Sequence, residues 1–509
     1  MKKLLKLGNS IYFSLMVFWL YFSIYFIFQY LNIDYSNLNR SVAKFLVILF
    51  FSSILSFHYR KSFLRLLNYI LQIILKKKYL LVIGMLTFQI IITLSSLSLA
   101  SADTTIVFNI ATNVSFAQTT DYISQNPNNF LLVLWFKLNY IFAGNNLLFI
   151  LALWNIIFID SSIAIIYKIN KMVIGAKIAN LSFLIMSLIL GFSPQYIYTY
   201  SDTITLFLLT LFIYSVCKLI LDKTSIRYSL CSGIFLGFAT GFRPTVLIFL
   251  ISFAIVIIFI FLRGNIQKYL KSYLRSILVF SAAFAMTMLL TSSILNYQSV
   301  VKYEANKSRT MLYYVNLGLT YSGNIHSELS EEILNSEGKD RNRIAINEIK
   351  SRLKNYNFET FIGHLFYKYY WMTGEGMLGW FQERVFSESN RPDISWLKNI
   401  QDTKIAKLIR TYVYVEGENY FYYALFIQIL WVIMVIGLIF YSKLFVTNNY
   451  YLLWMQISIF GALMFLFIFE AGRTRYLIQF LPAIITISAT GWSSIIDYFK
   501  TKHQKSNIK

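Results

Sequence analysis

Only two cysteines occur in 509 residues, Cys217 and Cys231, and both fall in apolar stretches. That excludes a disulfide framework and a cysteine metal site. The four histidines (His58, His326, His364 and His503) are scattered and form no ligand cluster. Charged residues make up 14% of the chain, where a soluble domain carries about a quarter. A soluble enzyme, a disordered chain and a collagen-like fibre are therefore excluded. No Walker loop, dinucleotide fingerprint, heptad pattern or fixed-period repeat is present.

What the chain has instead is 57% hydrophobic and 18% aromatic residues, gathered into long apolar blocks. At about 1.5 Å per residue these are long enough to cross a bilayer core of about 30 Å. Twelve crossings are expected, at 11–31, 42–58, 79–100, 147–167, 175–194, 203–221, 228–241, 244–263, 274–296, 421–441, 449–469 and 475–497. The fold class is an all-α polytopic membrane protein. The net charge of +23 then sorts by side: 24 basic residues against only Asp222 and Asp497 fall in alternate connections. The positive-inside rule makes that side the cytoplasm, with both termini in it. Topology thus explains the basicity, and nucleic acid is not an expected partner. The loops on that side are too short for a nucleotide-binding domain. The opening MKKLLK with its long apolar run reads as a retained anchor, because a small-residue cleavage site is lacking.

The chain divides into four parts. Residues 1–78 are a two-span extension with a basic cytoplasmic loop. Residues 79–296 form a transmembrane core whose first outer loop is 101–128. Residues 297–420 form a small extracytoplasmic domain, and 421–509 supply the last helices and a basic tail. Residues 129–146 predict a helix in the outer interface rather than a crossing. In the outer segment, 340–355 predicts an amphipathic helix with Ile344, Ile349 and Leu353 on one side. The following aromatic stretch, interrupted by His364 and Lys368, predicts an interfacial helix with Trp371 and Trp380 as belt anchors or a sugar-stacking platform.

Ionisable groups in or at the rim of spans are functional candidates by default. They are Asp103, Asp160, Asp202, Arg243, Glu470, Arg473 and Arg475, and all but Asp160 fall toward the outer ends. Asp103 is either a helix cap or a general base at the membrane surface. Asp202 is most simply a cap, and Asp121 is a turn residue or a substrate contact. Arg243, in GFRPT, must find an anion or reach water. Arg473 and Arg475, beside Glu470 and Tyr476, either form internal salt bridges or cradle a phosphate. Lys302, Lys307 and Arg309 could extend that cradle. Lys368 and Glu375 sit in the glycine- and tryptophan-rich KYYWMTGEGMLGW.

An Asp after an early span, then QNPNNF, SPQYIYTYSDT, GFRPT and a terminal E-x-x-R-x-RY resemble the bacterial GT-C glycosyltransferases. These include the family 39 protein O-mannosyltransferases and the lipid A aminoarabinose transferase. The resemblance runs from about residue 79 to the end. It implies a GT-C-like fold with outer juxtamembrane helices, and a sugar donor on a polyprenyl phosphate. Transfer would go, with inversion, to an extracytoplasmic glycan, lipid, cell-wall polymer or protein. Asp103 is the matching catalytic carboxylate, and Arg243, Arg473 and Arg475 match the donor phosphate. Asp121, Tyr122, Asn128, Asp202, Lys368, Glu375, Glu470 and Tyr476 are the expected substrate contacts. Many members carry an acidic pair in the first loop, but here Thr104 and Thr105 follow Asp103. No cofactor is firmly expected; a divalent metal stays open, without a paired acidic motif to support it.

Two other readings compete. A polymerase or ligase acting on undecaprenyl-linked glycans would not need Asp103. A flippase or transporter would place charges at the membrane midplane and show inverted repeats. The lysine-rich, proline-poor composition points to a bacterial plasma membrane, with the active site on its outer face.

Overall fold

The computed structural model describes residues 2–31, 76–222, 225–262, 267–444, 449–469 and 472–506, with single positions at 58, 59, 62, 69 and 72. Helices make up this part of the chain, and there is no strand among the described residues. Nine helices among them are long and apolar enough to cross a membrane. They coincide with nine of the twelve expected spans. At two further expected spans the helices are shorter than these nine. Ala176–Met186, prolonged by a π-turn to Gly191, and Ile226–Phe242 are too short to count with the nine. The expected span 42–58 lies outside the described residues, except for position 58.

The short helices pack against longer neighbours. Ile226–Phe242 packs against both Ser201–Leu221 and Gln267–Tyr297. The small residues Gly233 and Gly237 let the latter approach: a Cβ at Gly233 would meet the Phe280 carbonyl at 2.6 Å. Tyr420–Leu444 lies along Leu481–Ser506, and the N-terminal helix Lys2–Leu31 covers its other side. Inside the bundle, aromatic and aliphatic side chains such as Trp19, Trp431, Met434 and Ile484 are fully buried.

Connections at one end of the bundle carry most of the polar structure. Phe130–Ala143 turns sharply at Gly144, whose φ of +52° suits glycine, into the spanning helix Leu147–Val173. It packs against Asp103–Thr112, and its far side exposes Leu138, Ile141 and Phe142. The 297–420 segment contains a small core of its own, in which Tyr313, Leu317, Leu329, Ile333, Ile344 and Ala345 pack together. In that core the helix Gly338–Asn355 turns Arg341, Ile344 and Ala345 inward. Leu353 is exposed, so the expected apolar face is shifted by part of a turn.

The aromatic stretch is also differently placed. Phe358–Thr373 packs on the N-terminal helix through Phe22, Tyr369 and Tyr370. His364 and Lys368 do not interrupt an interfacial face; both point inward to the Gly318 carbonyl, at 3.0 and 2.8 Å. Lys368 Nζ also donates to the carbonyls of Phe467 and Phe469. Trp380 is core rather than belt: it donates to the Val413 carbonyl and stacks on Phe386.

Candidate functional site

Asp103 opens the helix Asp103–Thr112 with its side chain exposed. It does not cap that helix. The capping position is Ala102, held at φ +65° and ψ −135°, a region that costs a residue with a Cβ about 1–3 kcal/mol. Asp103 shares a helix face with Val107 and Ile110, both buried. This directs it toward Tyr122 and Tyr200. Burial raises the pKa of both phenols, and the adjacent Asp103 charge raises them further. Asn129 ties the two rings together, donating to the Tyr122 hydroxyl at 2.7 Å and accepting from Tyr200 at 3.2 Å.

Beyond Tyr200 lies a buried ion network. Asp202, in the first turn of Ser201–Leu221, makes no cap hydrogen bond. Its Oδ1 is 2.8 Å from Arg243 Nη2, and Oδ2 is 3.8 Å from Arg475 Nε. Arg243 also donates to Ser201 Oγ at 2.9 Å. Arg475 Nη1 pairs with Glu383 Oε2 at 3.1 Å and contacts the Tyr198 hydroxyl, which itself donates to Glu383 at 3.2 Å. Arg473 reaches the other Glu383 oxygen at 3.4 Å. The Tyr476 ring lies 5.8 Å from both Arg243 and Arg475, within cation–π range.

The turn that delivers Glu383 is strained on both sides. Leu378 and Arg384 have positive φ, and Gly379, at φ +87°, sits where a Cβ would meet Arg475 Cβ at 3.1 Å. Only glycine fits there without displacing the arginine. Glu375 begins the same turn fully buried, with Oε1 accepting from the Phe381 N–H at 2.7 Å. Burial raises its pKa to about 8, so it is mostly protonated at neutral pH and adds little charge to the network.

The expected residues thus divide. Asp103, Tyr122, Asp202, Arg243, Arg473, Arg475 and Tyr476 converge at one end of the bundle. Asp121 is spent on Lys302 and Lys307, each 3.0 Å away, and those hydrogen bonds hold its carboxyl below the ordinary range. Lys368 is occupied by its three carbonyls, and burial lowers its amine to about 7. Asn128 is exposed, whereas its neighbour Asn129 is buried and makes the hydrogen bonds. Glu470 lies outside the described residues. Asp160 pairs with Gln89 on the neighbouring span at 2.9 Å.

Sequence reasoning missed Glu383, Tyr198, Tyr200 and Asn129. Glu383 falls in an ordinary-looking FQER, and its only signal was the unbalanced pair of arginines in RTR. Among the described residues no three His, Cys, Asp or Glu side chains gather to hold a metal. A cleft of about 610 Å³ lies on the opposite side of the 103–112 helix, lined by Thr105, Phe108, Thr112, Tyr140 and the 390–393 segment. Asp103 does not line it.

An apolar helical bundle with a buried ion network at one end defines a polytopic integral membrane protein. The chain belongs to the family described as conserved hypothetical integral membrane protein, whose model matches residues 1–496. No curated protein matches it. It is similar to solved structures of the oligosaccharyltransferase from Archaeoglobus fulgidus. The apo form has a TM-score of 0.44 at 14% identity, covering 85% of this chain and 52% of that one. The form tethered to an acceptor peptide containing the NVT sequon has a TM-score of 0.42 at 14% identity, covering 83% and 50%. The complex of AglB with an inhibitory peptide and a dolichol-phosphate has a TM-score of 0.40 at 13% identity, covering 85% and 52%. The chain spans about half the length of these structures.

Proposed function

We propose that the chain is a membrane glycosyltransferase of the GT-C type. It moves a sugar from a polyprenyl-phosphate donor to an acceptor on the extracytoplasmic face. The observation that carries this reading is the placement of Asp103. It is an exposed carboxylate at a strained helix start, separated by Tyr200 from the paired guanidiniums of Arg243 and Arg475.

In this reading Asp103 accepts the proton of an acceptor hydroxyl as general base. The hydroxyl oxygen attacks the anomeric carbon from the face opposite the phosphate. The bond from that carbon to the phosphate oxygen breaks, and its electron pair leaves with the lipid phosphate. Arg243, Arg473 and Arg475 offset the charge that grows there. Asp202 and Glu383 hold these arginines in place before substrate arrives, so little reorganisation is needed during the reaction. Tyr122 and Tyr200, fixed by Asn129, keep Asp103 aimed across the site.

The deciding experiment compares envelope glycans by mass spectrometry from cells with and without the gene. Loss of one hexose or amino-sugar unit, restored by the wild-type gene but not by Asp103→Asn, supports the transferase reading. Full restoration by Asp103→Asn contradicts it.

A further inference from the structure

Two segments run from the candidate site into the cleft behind the 103–112 helix. One is the stretch that leads up to Asp103; the other starts at Glu383, beside Arg475 at 3.1 Å. Hydrogen bonds lace them together. The Ser101 N–H donates to the Val385 carbonyl at 3.0 Å, and the Leu99 N–H to the Asn390 carbonyl at 2.8 Å. Between these rungs Ser98 Oγ donates to the Ser387 carbonyl at 3.2 Å. Past the last rung, residues 391–393 form one wall of the cleft, and Thr105, Phe108 and Thr112 on one helix face form the other. The outer wall is tied down again at Trp396, which donates to Asn146 Oδ1 at 3.1 Å and meets Phe149 edge-on at 4.9 Å. Both walls are thus held in place, and the cleft of about 610 Å³ has the size of a small-molecule site.

The chemistry of the lining selects its occupant. Thr105 Oγ1 donates to the Ala100 carbonyl at 2.8 Å and Thr112 Oγ1 to the Phe108 carbonyl at 2.9 Å. Their protons are spent, so these oxygens are left to accept from a ligand hydroxyl. The amides of Asn145 and Asn390 can both donate and accept. Phe108 and Tyr140 supply aromatic rings. Each wall charge already has a counter-charge: Arg391 pairs with Glu388 at 3.3 Å and Asp402 at 2.8 Å, and Asp393 pairs with Lys398 at 2.6 Å. An anion would have to displace those carboxylates from Arg391. An isoprenoid chain would strip water from the amides without replacing its hydrogen bonds. A neutral sugar brings hydroxyls for the polar groups and an apolar face for the rings.

We propose that this cleft is a subsite for a neutral sugar unit of the acceptor glycan, held on the far side of the helix that begins with Asp103. The assignment to an acceptor rests on the transferase reading; the binding of a sugar does not. Asp103 and Thr105 are two residues apart in the first turn of one helix, with Cα atoms about 5–6 Å apart by helix geometry. A glycan seated in the cleft can therefore carry its next unit over the helix start to the candidate base. The acceptor is then an oligosaccharide or polymer with neutral units rather than a single small hydroxyl.

The test uses the purified full-length protein in lipid nanodiscs, without donor and without any sugar-headed detergent, so it does not depend on turnover. Saturation-transfer NMR titrations follow the neutral trisaccharides of glucose and of N-acetylglucosamine, with trigalacturonate as the acidic counterpart. Wild type should bind a neutral trisaccharide in preference to the acidic one. Asn145→Trp, which fills the cleft from an exposed turn, should weaken that binding by about tenfold or more with an unchanged unfolding temperature. Tyr140→Ala, a second variant that removes a ring instead of adding one, should weaken it about threefold to tenfold. Asp103→Asn should bind as wild type does, whether or not the transferase reading holds. Binding of neither neutral trisaccharide, or equal binding by wild type and Asn145→Trp, overturns the subsite. Preference for trigalacturonate overturns its neutral class. Sugar binding lost in Asn145→Trp while transfer to a glycan acceptor is unchanged overturns its assignment to the acceptor.

Discussion

Arg243 Nη2 lies 2.8 Å from Asp202 Oδ1, with only 10% and 3% of the two side chains exposed. This pair joins the first turn of one helix to the end of the next, and the Arg475–Glu383 pair lies alongside it. Such an arrangement is costly to assemble in a low-dielectric setting and costly to halve. Its place at one end of the bundle, within reach of Tyr200 and hence of Asp103, is why it reads as a site rather than as a structural brace alone.

Asp202→Asn should therefore destabilise the fold by about 3–5 kcal/mol, because Arg243 is left buried without its counter-charge. Asp202→Asn combined with Arg243→Met should recover part of that loss. Thermal unfolding in detergent measures both. A single substitution with no effect, or a double variant no better than the single, would show that the pair is not coupled.

Asp103→Asn should behave in the opposite way. The side chain is exposed and caps nothing, so stability should hold while the transfer rate falls by about a hundredfold or more. Unfolding temperature and turnover on the same preparation separate the two effects. Loss of both together would make Asp103 a folding residue.

Ala102→Gly tests the strained turn in front of the base. Glycine accepts φ +65° without penalty, so the variant should be stabilised by about 1 kcal/mol. A lower unfolding temperature would show that the turn carries no strain.

Glu375 gives a pH dependence of definite sign. Its pKa is raised to about 8, so between the ordinary carboxylate value and 8 the folded state binds the extra proton. Its contribution to stability is full at acid pH and is lost as pH rises through about 8. Glu375→Gln should flatten the fall in unfolding temperature between pH 5 and pH 8, roughly the window set by those two values. A slope identical to wild type would rule out this carboxyl as its source.

Much of this was legible in the chain because membrane insertion writes itself as composition. Runs such as LIFLISFAIVIIFIF have only one use, and charges at their ends stand out. Asp103, Asp202, Arg243 and the RTR arginines were visible for that reason. What stayed hidden depends on tertiary contact. Glu383 gains its meaning only from a strained turn that folds it onto Arg475. The choice between Asn128 and Asn129 is made by a 3-10 turn at Pro127–Asn129. Lys368 looks like a rim cation in sequence, yet its amine is drawn inward by the unpaired carbonyls where Met311–Gly318 and Tyr450–Ile468 end. The 17-residue helix Ile226–Phe242 is too short to count with the spans and packs between Ser201–Leu221 and Gln267–Tyr297.

The most direct measurement is turnover in proteoliposomes carrying a radiolabelled polyprenyl-phosphate sugar and a glycan acceptor. Wild-type protein should form labelled product and release polyprenyl phosphate in equal amounts, and Asp103→Asn should do neither. Movement of the labelled lipid across the bilayer without product, or full transfer by Asp103→Asn, would contradict the account.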